Sequence, residues 1–305
     1  MNAWNHGEAI SFLINFALDS LKLKTLEVEK RPEGKKRLTE PLRPQIHILL
    51  QSKKGSFKST ILRQIGKDRE MPVFTDVTFP SLVGSIDKET KQILPAGAWL
   101  CRNNTLLIDE WADNFERKAV INALLQLTEG GEYARSISRF SMPSEENDSD
   151  LFFKVKNGQI RVKTKFSLIL ATMHNLLRSS NDETQALISR AIPYSFQLSQ
   201  EELDSIVSGN PLLILKPKKK VKENVKIKYA DFKRLLEISH GAKETIFSRT
   251  FGDLCRCFAI YGWNDAYFNF IIELKNHAET QAEIGKAQRA ASFANLRPRE
   301  PSQEV

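Results

Sequence analysis

Ile46-His-Ile-Leu-Leu-Gln-Ser-Lys-Lys-Gly-Ser-Phe-Lys-Ser-Thr-Ile-Leu-Arg-Gln-Ile65 is the stretch on which the reading of this chain turns. Ile46 to Leu50 is a short apolar run, the pattern of a buried strand. Gln51 to Thr60 is polar, and a helical pattern starts at Ile61. A strand, a tight loop, Lys-Ser and a helix form a geometry that binds phosphates. Backbone amides and the helix N-terminus face the anion, a lysine reaches the outer phosphates, and a hydroxyl holds magnesium. Lys58 and Ser59 fit the last two roles, with Gly55, Ser56, Phe57 and Thr60 completing the loop. The pattern asks for glycine where Ser52 and Phe57 stand, so the loop alone is no better than a chance Lys-Ser at a helix start.

Downstream, Leu106-Leu-Ile-Asp-Glu110 ends an apolar strand in two carboxylates. Magnesium on a nucleotide needs one such acid, and hydrolysis needs a second to orient and activate water. Asp109, with Ser59, takes the metal role, and Glu110 the second. Strands ending in solvated acids are common. The two motifs in this order, each after a buried strand, favour ATP or a related nucleotide. Phe166–Thr172 is a third apolar strand, and helical patterns such as Arg117–Leu127 lie between. Strands alternating with helices predict an α/β fold, a parallel sheet with helices on both faces.

Residues 8–22 have helical periodicity, and a charged, proline-containing connector runs from Glu27 to Arg43. Phe152–Val162 reads as a hairpin turning at Asn157-Gly158, a pair that accepts positive φ. The basic stretch Lys216–Lys222 marks a boundary, and Tyr229–Leu274 is helical and aromatic. The expected organisation is an N-terminal helix and connector (1–43), an α/β core (44–215), a basic linker (216–228), a small helical domain (229–280) and a polar tail (281–305) that frays. The linker lysines read as a solvated connection, with a further DNA contact the alternative. A net charge of +8 and a pI near 9.3 point weakly to an anionic partner such as nucleic acid. Three cysteines, Cys101, Cys255 and Cys257, are too few for a four-ligand zinc site or a disulfide framework. No apolar run is long enough for a bilayer and the first residues do not read as a signal peptide, so a cytoplasmic protein without membrane contact is expected.

Leu82–Ala98, followed by Trp99–Glu110, resembles the motor domain of MCM-type DNA helicases of the AAA+ class. In that family an inserted hairpin, here about 82–98, leads through an Ala-Gly-Ala segment into the acidic strand. Leu124–Glu132 is similar to the family's glutamate-containing helix end. The hairpin at about 152–165 stands where the pre-sensor-1 hairpin belongs. By that resemblance Lys156 grips DNA phosphates in the channel of a ring, with Lys154 and Arg161 adding charge. Sensor 1 falls on His174 or its neighbour Asn175. Leu187-Ile-Ser-Arg-Ala-Ile192 resembles the segment carrying the arginine finger, here Arg190. Ser248–Arg256 resembles the lid helix carrying the sensor-2 arginine, here Arg249. In the family both arginines reach the nucleotide of a neighbouring subunit, so the resemblance implies a ring, expected to be a hexamer.

The resemblance covers about residues 40 to 275 and rests on the order of the motifs, not on any one of them. It implies an ATP- and Mg²⁺-dependent translocase or helicase on single-stranded DNA. The domains that precede and follow the family's motor are not expected within these residues, which fits either a stripped motor such as a virus or plasmid carries, served by a replication initiator or other DNA-binding partner, or equally a piece of a larger protein. Two alternatives stand beside it. One is a protein remodeller of the same superclade, which the cationic hairpin disfavours. The other is a nucleotide-gated inactive subunit or helicase loader, which Ser52 and Phe57 favour and the retained Lys58, Ser59, Asp109, Glu110, Arg190 and Arg249 disfavour.

Overall fold

A computed structural model of the 305-residue chain describes residues 4–33, 36–75, 77–86, 93–94, 97–111, 118–130, 132–136, 153–156, 159–179, 181–210, 213–215, 220–240 and 247–295. The chain opens with α1 (His6–Ser20), which starts at Asn5 because its side chain accepts from Glu8 N–H while Glu8 caps Asn5 in return. Two antiparallel strands follow, β1 (Thr25–Glu33) and β2 (Lys36–Leu42). The core begins with β3 (His47–Gln51), α2 (Lys58–Arg69), β4 (Val73–Phe74) and α3 (Phe79–Val83). A small ribbon pairs β5 (Ser85–Ile86) with β6 (Ile93–Leu94) and leads through α4 (Gly97–Leu100) into β7 (Asn104–Ile108).

After α5 (Lys118–Gly130), a three-stranded antiparallel unit pairs β10 (Gln159–Lys163) with both β8 (Glu132–Ser136) and β9 (Phe153–Lys156). The core closes with β11 (Phe166–Thr172), α6 (Asp182–Arg190), β12 (Ala191–Ser195) and α7 (Gln200–Val207). A last strand, β13 (Asn224–Ile227), precedes three helices: α8 (Tyr229–His240), α9 (Phe247–Tyr261) and α10 (Asp265–Asn295).

The central sheet has five strands in the order β12-β3-β11-β7-β4, all parallel. Strand alternation splits its core in two. Ile48, Leu50, Leu107, Ile169, Ala171 and Ile192 pack on one face with α1, α2 and the C-terminal helices. Leu49, Leu106, Ile108, Leu168 and Leu170 pack on the other with Trp111 and the apolar side of α5 and α6. Runs buried on both faces are what the continuous apolar segments of the sequence require. The N-terminal segment packs on the C-terminal helices: Phe12 stacks on Tyr267 at 4.4 Å between ring centroids, and Trp4 sits 4.9 Å from Phe270.

Three segments differ from expectation. The connector 27–43 is largely strand, because Leu26 and Val28 alternate into the core beneath a charged surface. The end of the basic linker is strand too: β13 pairs parallel with β1, Thr25 to Asn224 through Val28 to Ile227, burying Ile227. Lysines interleaved with Val225 and Ile227 hide that period-two pattern. The expected tail is helical as far as Asn295, since α10 docks on the backbone at Arg178 through Gly285, where a Cβ would come within 2.5 Å of the Arg178 carbonyl oxygen. Among the described residues no helix is long and apolar enough to cross a membrane.

Candidate nucleotide site

The carboxyl ends of β3, β11 and β7 lie side by side, and in open α/β sheets this edge is where ligands bind. The loop after β3 turns through Gly55 at φ +84° and Phe57 at φ 59°, ψ 16° before α2 begins. Phe57 holds the left-handed conformation natural to the glycine that the phosphate-loop pattern asks for. Its ring rests against the main core, and that contact offsets part of the strain. The loop backbone therefore keeps the turn without the expected residue. No side chain caps the start of α2, whereas α1, α3, α6 and α7 are capped by Asn5, Thr78, Asn181 and Ser199. Uncapped first-turn N–H groups at the end of a tight loop are suited to an anion.

Lys58 is buried, and its Nζ donates to the Ser52 carbonyl at 2.7 Å, the Lys53 carbonyl at 2.8 Å and Ser52 Oγ at 3.1 Å. The ammonium is thus satisfied by oxygens of its own loop. Burial lowers the Lys58 pKa, while the carboxylates of Asp109 and Glu110 act to raise it, which puts both acids within electrostatic reach of the loop. Asp109 is buried, its N–H donating to the Phe74 carbonyl at 2.8 Å, and its Oδ1 accepts from Glu110 N–H at 3.0 Å. Glu110 is exposed at φ 54°, a turn that swings its carboxylate off the strand line. Ser59 is half-buried on the first turn of α2 and Thr60 is exposed. The buried Ser56 donates its hydroxyl to the Lys53 carbonyl at 2.9 Å, bracing the loop.

Between loop and acids runs β11. Thr172 ties the edge together: its hydroxyl donates to the Trp111 carbonyl at 2.6 Å and accepts from His174 N–H, while its carbonyl accepts from Ser52 N–H. Gln51 Nε2 donates to Asn175 Oδ1 at 3.1 Å and Ser195 Oγ at 3.2 Å, so Asn175 is held against the phosphate-loop strand. His174 is exposed beside it. Sequence reasoning did not single out Gln51 and Thr172 as parts of this edge. A polar residue closing each of two apolar strands was the available signal.

The arginines lie elsewhere. Ala191 is in register with His47 and Ser195 with Gln51, so Arg190 sits at the amino edge, roughly 13 Å of strand from the loop that follows β3. Arg190 donates to the Ala186 carbonyl at 2.7 Å and to Glu129 at the end of α5 at 2.5 Å. Partial burial lowers the Arg249 pKa, Arg190 lowers it further, and Glu129 and Asp253 act to raise it. Arg43 donates to the Leu127 carbonyl, Arg256 to the Arg43 carbonyl, and Asp253 holds Arg256 and the buried Lys275. Burial and its cationic neighbours pull Arg43 down to about 10. Sequence spacing did not reveal Glu129 as the partner of Arg190.

The paired strands β9 and β10 set Lys154 opposite Arg161 and Lys156 opposite Gln159. The turn Asn157-Gly158 is outside the described residues. Among the described residues no group of three or more His, Cys, Asp or Glu side chains could hold a metal by itself. Ser59 and Asp109 would bind magnesium only together with phosphate oxygens and water. No protein-family profile matches the sequence, and no curated protein matches it.

Proposed function

We propose that this chain is an ATP-hydrolysing motor of the MCM-like AAA+ kind that moves single-stranded DNA, working as a ring in the replication of a mobile or viral genome. The observation that carries the reading is the carboxyl edge of the sheet. Lys58 lies in a phosphate-type loop within the field of Asp109 and Glu110, and the strand between them presents Asn175 to that loop. In this reading Lys58 exchanges the Ser52 and Lys53 carbonyls for phosphate oxygens. Ser59 and Asp109 hold Mg²⁺, which would neutralise charge on the phosphates. Glu110 orients and deprotonates the attacking water, and Asn175, held by Gln51, rather than its neighbour His174, positions that water or the outer phosphate.

Arg190 leads into the opposite edge of the sheet, roughly 13 Å of strand from its own loop, with Arg249 within its electrostatic reach. That arrangement supports their service to a neighbouring subunit's nucleotide, and with it the ring. An arginine supplied across an interface is worth roughly 10³–10⁵ in turnover, so activity should rise steeply with assembly. DNA is assigned to the β9–β10 hairpin through Lys154, Lys156 and Arg161. If each of six subunits contacts about one phosphate, the log–log salt slope for single strands is about −4.

The test is ATP hydrolysis with and without single-stranded DNA, beside Glu110→Gln and Lys156→Ala. DNA-stimulated turnover that Glu110→Gln abolishes and that Lys156→Ala no longer stimulates is expected. Turnover indifferent to DNA would favour a protein remodeller. Absence of turnover at ring-forming concentrations would favour an inactive subunit.

A further inference from the structure

A concavity of about 540 Å³ opens at the amino edge of the sheet, away from the phosphate loop. Its polar lining is Lys22 and Lys24 after α1, Asn103 and Lys165 just ahead of β7 and β11, and Lys220 and Glu223 on the approach to β13. Lys22 is paired with Asp19, and Lys24 with Glu223 at 2.6 Å across two exposed side chains. Lys165 and Lys220 have no carboxylate partner among the described residues. Lys165 is half-buried and donates its Nζ to the Leu23 carbonyl. The C-terminal end of α1 would normally make this corner unfriendly to anions. Its closing carbonyls are already engaged, however: Ala17 by the Ser20 and Ser167 hydroxyls, Asp19 by Lys22 N–H, and Ser20 by Leu23 N–H. Burial, with Lys24 and Arg43 nearby, lowers the Lys165 pKa, and an anion in the concavity would reverse that strain.

We propose that this concavity binds the phosphodiester backbone of single-stranded nucleic acid, as a second contact beyond the hairpin. Lys165 follows the last hairpin residue, Lys163, by two positions, so the lysine-lined surface begins where β10 ends. A strand held at the hairpin can continue onto it. The proposal rests on the assignment of DNA to the hairpin and extends it, and it gives Lys220, ahead of β13, a role beyond connection. The volume exceeds what one phosphate group needs, and the open lining of ammonium groups suits a backbone more than a base.

The experiment uses the full chain and a fluorescent oligothymidylate, with anisotropy read over a salt series. The variants are Lys24→Ala/Lys220→Ala and, separately, Lys165→Gln, which keeps a donor for the Leu23 carbonyl. Each is made in the wild-type and Lys156→Ala backgrounds, with thermal melting as the folding control. The double variant, losing two contacts, should weaken binding about tenfold and reduce the magnitude of the salt slope by about 1.4, and Lys165→Gln, losing one, should reduce it by about 0.7, in both backgrounds. Unchanged slopes in both backgrounds, from variants that melt like their parents, overturn the proposal. Inorganic tripolyphosphate at matched ionic strength separates the two sources of phosphate. If it binds the wild type but not the double variant, while oligonucleotide slopes stay equal, the occupant is a small free phosphate and the proposal falls. A reduced slope alongside ATP turnover indifferent to DNA keeps the contact and removes only the motor.

Discussion

Replacing Phe57 with glycine and with alanine separates backbone strain from side-chain contact at the one loop position where the sequence departs most from a phosphate-loop pattern. Phe57 sits at φ 59°, ψ 16°, where a Cβ costs roughly 1–2 kcal/mol that glycine does not pay. Its half-buried ring packs on the core, a contact worth about 1–2 kcal/mol, below the 1.5–3 kcal/mol of full burial. Phe57→Ala loses the ring and keeps the strain, so it should fall about 1–2 kcal/mol below wild type. Phe57→Gly loses the ring and relieves the strain, so it should lie within about 1 kcal/mol of wild type. The difference between the two variants, about 1 kcal/mol in favour of glycine, isolates the backbone and reverses the order found inside helices, where glycine is worse by a similar amount. Urea unfolding of nucleotide-free protein, followed by tryptophan fluorescence, to which the fully buried Trp111 contributes, reads that difference. Alanine equal to or more stable than glycine would refute a left-handed Phe57, and with it the claim that this loop keeps a phosphate-binding turn.

Two further outcomes follow from buried contacts. His47 is held neutral, its pKa pushed well below the ordinary histidine value by burial and then by Arg43 and Arg256, with Nδ1 accepting from Leu168 N–H. The unfolded chain then binds a proton below about pH 6.5 that the folded chain does not, so stability falls with acidity by about 1.4 kcal/mol per pH unit in that range. His47→Asn, which retains an acceptor, should flatten urea midpoints against pH by about one proton; an unchanged slope would mean that His47 is protonated when folded. Gly285→Ala should destabilise by about 1–3 kcal/mol even though alanine is favoured in helices by about 1 kcal/mol, because its Cβ would meet the Arg178 carbonyl oxygen at 2.5 Å. Thermal melting checks it, and a more stable variant would mean that this end of α10 is not docked.

The apolar runs Ile46–Leu50, Thr105–Ile108 and Phe166–Thr172, alternating with helical patterns, were enough to predict the α/β class and a parallel sheet, since strands buried on both faces read as continuous hydrophobicity. Lys58, Ser59, Asp109 and Glu110 were legible as a candidate site for a related reason: each follows a buried strand, where a polar group has to face an edge. What pairs with what was not legible. Strand order, and so the placing of Asn175 between the loop and the acids, depends on which helix crosses which face. The capture of Arg190 by Glu129 joins the ends of two helices 61 positions apart. The third strand beside β1 comes from nearly 200 residues downstream, beneath a lysine run that obscures its alternation. Local pattern fixes which face of an element is apolar. Only packing decides which elements share that face, because every apolar face in the chain is chemically alike until shape and register choose among them.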